Sequence, residues 1–308
     1  MTISKKVLVT GSGGFIGKNL CATLEQKPEF EIIRYEADNK IEELADFIAK
    51  ADFIFHLAGV NRPQRVEEFV EGNHKLTEVL FQTLKRTGKK IPVVITSSTQ
   101  AALDNPYGIS KKAAEDTAFM YSKQTGIPVY VYRLPNVFGK WSRPNYNSVV
   151  ATFCHNIARG LPIQINDPAK EISLVYIDDV VGELIATMNG QPHIDHSGFG
   201  YIPCTYKITL KELADTIYEF AQSRDKLIIP NFEDDFKESL YATYTSYLPE
   251  DEFGYALEMK HDNRGWLAEF VKSRQSGQIF VSRTKPGITR GNHWHHTKTE
   301  KFLVVEGE

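Results

Sequence analysis

Lys6-Val7-Leu8-Val9-Thr10-Gly11-Ser12-Gly13-Gly14-Phe15-Ile16-Gly17 decides the fold. A short apolar run enters a turn with three spaced glycines, and a segment with helical spacing, Phe15 to Leu24, follows. Gly11 permits a tight turn, Gly14 lets a pyrophosphate approach the backbone, and Gly17 lets the helix pack against the strand. Free N–H groups at the helix start then favour negative charge. The motif predicts a dinucleotide cradle at the first strand–helix junction, contacted by Gly11, Gly14, Phe15, Ile16 and Gly17.

Outward from this loop, strand-like and helix-like segments alternate. Phe30–Tyr35, Asp52–Leu57, Ile91–Ser98 and Val129–Arg133 read as strands, and Ile41 to Ala49 reads as a helix. Buried apolar strands alternating with helices predict a doubly wound parallel sheet covered on both faces. Residues 140–249 mix helices (Ser148 to Gly160, Leu210 to Arg224) with short strands such as Glu171–Tyr176, and read as a small substrate cap on the same domain. From 250 to 308 the pattern turns all-β, with strands expected at Glu269–Lys272, Gly277–Ser282 and Lys301–Val305. The boundary is expected in the turn-rich stretch Pro249–Gly254, giving domains at 1–249 and 250–308.

Composition narrows the function classes. The 308 residues carry a formal net charge of −3, which gives nucleic acid no electrostatic footing. The length suggests about two domains, and the hydrophobic content of 42% fits a folded chain. Cys21, Cys154 and Cys204 are few and scattered, which suits small buried hydrophobes and a reducing cytoplasm. The N-terminus shows no signal peptide, and no apolar run is long enough to span a membrane.

Tyr107-Gly-Ile-Ser-Lys111 supplies the chemistry. A lysine four residues after a tyrosine faces the same side of a helix. Its charge favours the phenolate and lowers the tyrosine pKa. Lys111 also suits the nicotinamide ribose. Ser98, at a strand end, is a hydroxyl for the substrate oxygen, with Thr99 as its rival. Leu57, Ala58 and Gly59 end the strand that starts at Asp52. Glu36 suits a ribose 2′-hydroxyl and NAD, whereas Arg34 suits a 2′-phosphate and NADP. Arg62 adds positive charge near the adenosine end, and NADPH is the expected cofactor.

Thr10-Gly-x-Gly-Gly-x-x-Gly17, His56-Leu-Ala-Gly59, Asn73, Ser98, Tyr107-x-x-x-Lys111, Arg133-Leu-Pro-Asn136-Val-Phe-Gly139 and Tyr176-Ile-Asp-Asp179 together resemble the extended short-chain dehydrogenase/reductase family, in its nucleotide-sugar branch. The resemblance covers roughly residues 5 to 245. It implies a Rossmann-type fold, a cofactor lined by Leu57, Ala58 and Gly59, catalysis by Ser98, Tyr107 and Lys111, and substrate contacts at Asn136 and Arg143, the latter near the nucleotide diphosphate. The loop between Ser98 and Tyr107 is shorter than in relatives.

Gly287-x5-His293-x-His295-x4-Glu300-x6-Gly307 matches the first cupin motif. On a strand, His293 and His295 would share a face, and with Glu300 they suit zinc or another divalent metal. His296 would point away. The second cupin motif is absent, so an incomplete cupin is expected, part of a longer natural protein. Asp262-Asn-Arg264-Gly-Trp266 resembles the deoxysugar-epimerase type of cupin. A nucleotide-sugar reductase joined to such a cupin resembles the bifunctional capsular-polysaccharide enzymes. That resemblance implies C3 epimerisation of a UDP-2-acetamido-2,6-dideoxy-4-ketohexose and NADPH reduction at C4, giving a UDP-2-acetamido-2,6-dideoxy-L-talose on the way to UDP-N-acetyl-L-fucosamine for capsule or O-antigen. A homodimer is expected. The competing readings are an NAD-retaining nucleotide-sugar 4-epimerase or 4,6-dehydratase, and a cofactor sensor without turnover. Thr99-Gln100 after Ser98, where a dehydratase carries Asp-Glu, argues against the dehydratase. An intact Ser98, Tyr107 and Lys111 argue against the sensor.

Overall fold

Five strands form one parallel sheet in the order β2-β1-β3-β4-β5: β1 (Lys5–Thr10), β2 (Phe30–Tyr35), β3 (Phe53–His56), β4 (Val93–Ser98) and β5 (Val129–Leu134). The computed structural model describes residues 4–232, 234–273 and 277–307. The expectation of no signal peptide rests partly on residues 1–3, outside the described residues. Among the described residues, no helix is long and apolar enough to cross a membrane.

The alternation of side chains along a strand explains why both faces are apolar. Val7, Val9, Phe53, Phe55 and Val94 pack on one face with α1 (Phe15–Leu24) and residues of α7 (Ile177–Met188). Leu8, Ile54, Val93 and Ile95 point to the other face, against α2 (Leu44–Lys50), α4 (Leu76–Thr87) and α5 (Pro106–Thr125). A short α3 (Glu67–Phe69) leads into α4 through a π-helical stretch, Val70–Lys75, that carries Asn73.

Beyond β5, a smaller sheet of β6 (Asn136–Phe138), β7 (Glu171–Tyr176) and β8 (Tyr206–Thr209) has the order β6-β7-β8. Its core joins Phe138 and Leu174 to residues of α6 (Val149–Ala158), α8 (Leu210–Asp225) and α9 (Asp235–Thr245). This is the region expected to form the cap.

The chain divides into two compact units: one runs up to Ala221 and includes Phe232–Glu250, the other combines Gln222–Asn231 with the residues from Asp251 onward. The second unit is built on an antiparallel sheet, β11-β10-β9, of β9 (Met259–Asp262), β10 (Gly265–Ser273) and β11 (Gly277–Thr284). The Asp262 carboxylate accepts the Arg264 and Gly265 N–H groups at 2.8 and 3.1 Å, which shapes the β9–β10 turn. The strand expected at Lys301–Val305 is not formed. Among the described residues no strand lies beside this stretch to pair its backbone, and Leu303 and Val305 are 88% and 89% exposed. An apolar alternating run needs a neighbouring edge before it becomes a strand.

Candidate active site

The glycine loop has the geometry its spacing predicts. Gly11 sits at φ +70°, and a Cβ there would lie 2.7 Å from the Ala58 Cα. A Cβ on Gly17 would lie 2.1 Å from the Gly11 carbonyl oxygen, so the first turn of α1 lies directly on the loop. No side chain caps the start of α1 at Gly14. The first N–H groups of the helix are therefore left for a ligand, as a pyrophosphate requires. Phe15 and Ile16 are half-buried and pack on the core below.

Two charged residues flank this loop at the end of β2. The Glu36 carboxylate accepts from the Ser12 hydroxyl and, at 2.6 Å, from the Gly13 N–H. Arg34 pairs with Glu25, both side chains about half exposed. Arg62 does not join them. Its guanidinium donates to the Tyr146 carbonyl and lies 5.9 Å from the Tyr146 ring, while Arg143 lies 5.0 Å from the same ring. Arg62 thus sits with the loop after β6 that the resemblance links to the nucleotide diphosphate.

That loop is held in an uncommon backbone conformation. Trp141 and Asn145 have φ of 69° and 54°, and Gly139 has 145°. Such residues persist only where the surroundings fix them. Here the Tyr247 hydroxyl donates to the Ser142 carbonyl. Asn136 is exposed and donates to the Ser173 carbonyl at 3.1 Å.

Ser98, Tyr107 and Lys111 come together where β4 ends and α5 begins. Asn105 caps α5, its side chain accepting the Gly108 N–H at 2.8 Å, and Pro106 takes the first helical position. The stretch from Ser98 to Tyr107 is bridged by a 3₁₀ turn, Thr99–Ala102. The Ser98 hydroxyl lies close enough to the Tyr107 phenol to influence it. Thr99, the rival hydroxyl, is exposed. Burial pushes the Tyr107 phenol above its ordinary value, and the Ser98 hydroxyl opposes that shift.

Lys111 is buried and donates to the Thr96 carbonyl at 2.9 Å. Burial pulls it down to about 8, with Glu115 opposing the shift. A Cβ on Gly59 would lie 3.5 Å from the Lys111 ammonium and 2.8 Å from Asn73 Oδ1. The loop after β3, with half-buried Leu57 and Ala58, therefore abuts the lysine. Asn73 fixes that loop, accepting the Val60 N–H at 2.9 Å and donating to the Val60 carbonyl at 2.8 Å. His56 is buried between Thr10 (2.8 Å) and Thr77 (2.9 Å). Burial first, and then the Lys111 charge, push it down to about 3, so it is a neutral structural tie.

In the second unit, ligand atoms of His293, His295 and Glu300 all lie within 4.8 Å of one another. The residues are not on a strand, so the alternate-residue argument does not place them; an irregular segment does. His296 packs against Trp294 at 4.5 Å, apart from the trio. Lys298 lies 2.8 Å from Glu300 and is the first cause holding that carboxyl below its usual value. Two imidazoles and a carboxylate fit a divalent metal.

Residues 7–195 match the NAD dependent epimerase/dehydratase family, and residues 260–308 match the polysaccharide biosynthesis C-terminal domain. The chain belongs to the NAD dependent epimerase/dehydratase family. Within it, the chain is 49% identical over 302 residues to UDP-2-acetamido-2,6-beta-L-arabino-hexul-4-ose reductase of Pseudomonas aeruginosa, covering 98% of this chain and 81% of that protein. Among solved structures it resembles the capsular polysaccharide assembling protein CapF from Staphylococcus aureus, with a TM-score of 0.88 and 46% identity over 94% of this chain and 79% of that one. The UDP-glucuronic acid 4-epimerase from Bacillus cereus, solved with NAD, shares the fold at a TM-score of 0.66 and 17% identity, over 79% of this chain and 98% of that one.

Proposed function

We propose that the first unit is a nucleotide-sugar 4-ketoreductase acting in polysaccharide synthesis. It reduces C4 of a UDP-2-acetamido-2,6-dideoxy-4-ketohexose to a UDP-2-acetamido-2,6-dideoxy-L-talose, with NADPH. The observation that carries the reading is the buried Lys111, tied to the end of β4 one helical turn from Tyr107 and beside Ser98, in a chain whose 49% identical relative is named as such a reductase.

The reduced nicotinamide, when bound, supplies the hydride for the sugar carbonyl carbon. The rest of the chemistry belongs to the chain. Ser98 donates to the ketone oxygen and orients it. Tyr107 gives its phenolic proton to that oxygen as negative charge develops there. Lys111 holds the nicotinamide ribose and stabilises the phenolate left behind. Asn136 and Arg143 contact the substrate, the guanidinium pairing with diphosphate oxygens.

The preference for NADPH rests on Arg34. Its pairing with Glu25 is an exposed ion pair, worth roughly 0–1 kcal/mol, so a 2′-phosphate displaces Glu25 at little cost. Glu36 favours the second reading, NADH, because its carboxylate stands at the loop where a ribose 2′-hydroxyl would donate.

The second unit is proposed to belong to a cupin that epimerises C3 of the same ketosugar, with His293, His295 and Glu300 holding a divalent metal. When bound, such a cation would supply Lewis acidity at that site. A C4 ketone acidifies the C3 proton, so epimerisation precedes reduction. A cytoplasmic homodimer is proposed, and α5 offers an exposed face with Ile109 and Met120.

Tyr107→Phe tests the assignment. It should lower turnover about 10²–10⁴-fold while NADPH binding stays within a few-fold. Turnover near the wild-type rate would remove Tyr107 as the proton donor.

A further inference from the structure

Glu115 is the most completely buried charge of the first unit, at 0% exposure, and the proposed chemistry leaves it unused. It lies one helical turn after Lys111 on α5 and so faces the same way. Its carboxylate is fully occupied. It accepts from the Ser97 hydroxyl at 2.6 Å, and from Arg133 Nε and Nη2 at 2.9 and 2.6 Å. Arg133 projects from β5 and is covered by the Phe199 ring at 3.8 Å. Ser97 directly precedes Ser98, and Thr96, before it, accepts from Lys111. Two consecutive residues at the end of β4 are thus tied to α5, Thr96 through Lys111 and Ser97 through Glu115, and Ser98 follows them beside Tyr107.

A buried ion pair of this kind adds little stability over an apolar pair of the same size. Its position gives it another use. The Lys111 ammonium is buried and needs a negative charge nearby to stay protonated. Around Lys111, α5 contributes Tyr107 and Glu115, β3 contributes His56, which is neutral, and β5 contributes Arg133. Thr96, Ser97 and Ser98 of β4 and Asn73 carry no charge. Asp116 and Asp195 also act on Arg133, more weakly than Glu115. Among the described residues Glu115 is the carboxylate that favours the charged lysine, and Arg133 pairs with that same carboxylate at 2.6 Å, so its charge opposes the field Glu115 exerts.

We propose that Glu115, balanced by Arg133, is a positioning residue for the reduction: it keeps Lys111 charged and, through Ser97, fixes the strand end that presents Ser98. This rests on the reductase reading, so its test includes a readout that needs no substrate. Lys111 is titrated by the ¹³Cε shift of labelled lysine, assigned with Lys111→Met, in the wild type, Glu115→Gln and Arg133→Gln. Rates of reduction are measured across the same pH range.

Removing the carboxylate should move the Lys111 titration, and the alkaline fall of kcat/KM, to lower pH by about half a unit or more. Removing the guanidinium should move both to higher pH by a similar amount. Opposite shifts are what a charge balance produces and a packing role does not. Arg133→Gln alone still tests the sign if Glu115→Gln does not fold. Titrations that stay within about 0.2 units of wild type, or that shift the same way in both variants, would overturn the proposal. Lysine titrations that shift as described in a protein that reduces no 4-ketosugar would leave the tuning intact and remove the reductase reading.

Discussion

Replacing Gly17 by alanine tests the cradle with one methyl group. The new Cβ would stand 2.1 Å from the Gly11 carbonyl oxygen, 2.8 Å from the Ser12 Cα and 2.9 Å from the Gly11 carbonyl carbon. Ordinary contacts begin near 3.4 Å, so the overlap with the oxygen is 1.3 Å. All three atoms are backbone, and no rotamer relieves the clash. Either α1 recedes by about 1 Å or the loop does. Overpacking of this kind costs about 1–3 kcal/mol, a fall in Tm of several degrees that leaves the chain folded at room temperature. Losing a backbone hydrogen bond to the charged pyrophosphate costs about 1.5–3 kcal/mol, roughly 10- to 10²-fold in affinity. The assay is fluorescence titration with NADPH beside thermal unfolding followed by circular dichroism. Gly182→Ala is the control: its Cβ meets open space on the exposed face of α7, and it should raise stability by about 0.5–1 kcal/mol with unchanged binding. An NADPH affinity for Gly17→Ala within threefold of wild type would refute the assignment of this loop to the pyrophosphate.

Arg34→Ala should cost NADPH about 1.5–3 kcal/mol in kcat/KM, the worth of a hydrogen bond to a charged group, and leave NADH nearly unchanged; equal losses with both cofactors would count against a 2′-phosphate contact. His56 titrates near 6.5 when unfolded and at about 3 when folded, so the unfolded chain binds more protons in between and stability falls with acidification. The loss from this group is about 2 kcal/mol between pH 7 and pH 5, and denaturant melts of His56→Gln should lack that slope; an identical slope would show that His56 is already charged in the fold. Zinc titrated calorimetrically should bind with one-to-one stoichiometry, and either His293→Ala or His295→Ala should weaken it tenfold or more, since one of three donors is gone; unchanged affinity in both variants would place the metal elsewhere.

Much of the first unit was legible because single residues there carry single physical demands. Gly11 must take a positive φ and Gly17 must have no Cβ, and both demands are visible as glycines at fixed spacing. The strands were legible because each is a continuous apolar run bounded by polar turns. The links between elements were not. Glu115 and Arg133 left only a faint trace: a carboxylate four residues after Lys111, and an arginine near the end of the apolar strand Val129–Leu134, where a half-buried guanidinium demands a partner. No local rule pairs residues 18 apart across a helix and a strand. The move of Arg62 to Tyr146 spans 84 residues and follows from the backbone of the Gly139–Tyr146 loop. In the second unit the spacing of His293, His295 and Glu300 was informative about the donors but not about their backbone. Whether Lys301–Val305 forms a strand depends on an adjacent edge, and a sequence pattern contains no information about that edge.

The most direct test uses NADPH deuterated at the transferable position of the nicotinamide, mixed with the UDP-2-acetamido-2,6-dideoxy-4-ketohexose, with the product examined by NMR. The account predicts one NADPH oxidised for each sugar consumed, and a product alcohol carrying deuterium at C4. A converted sugar without deuterium at C4 and without net loss of NADPH would contradict it, and would indicate an enzyme that returns its hydride from a retained cofactor.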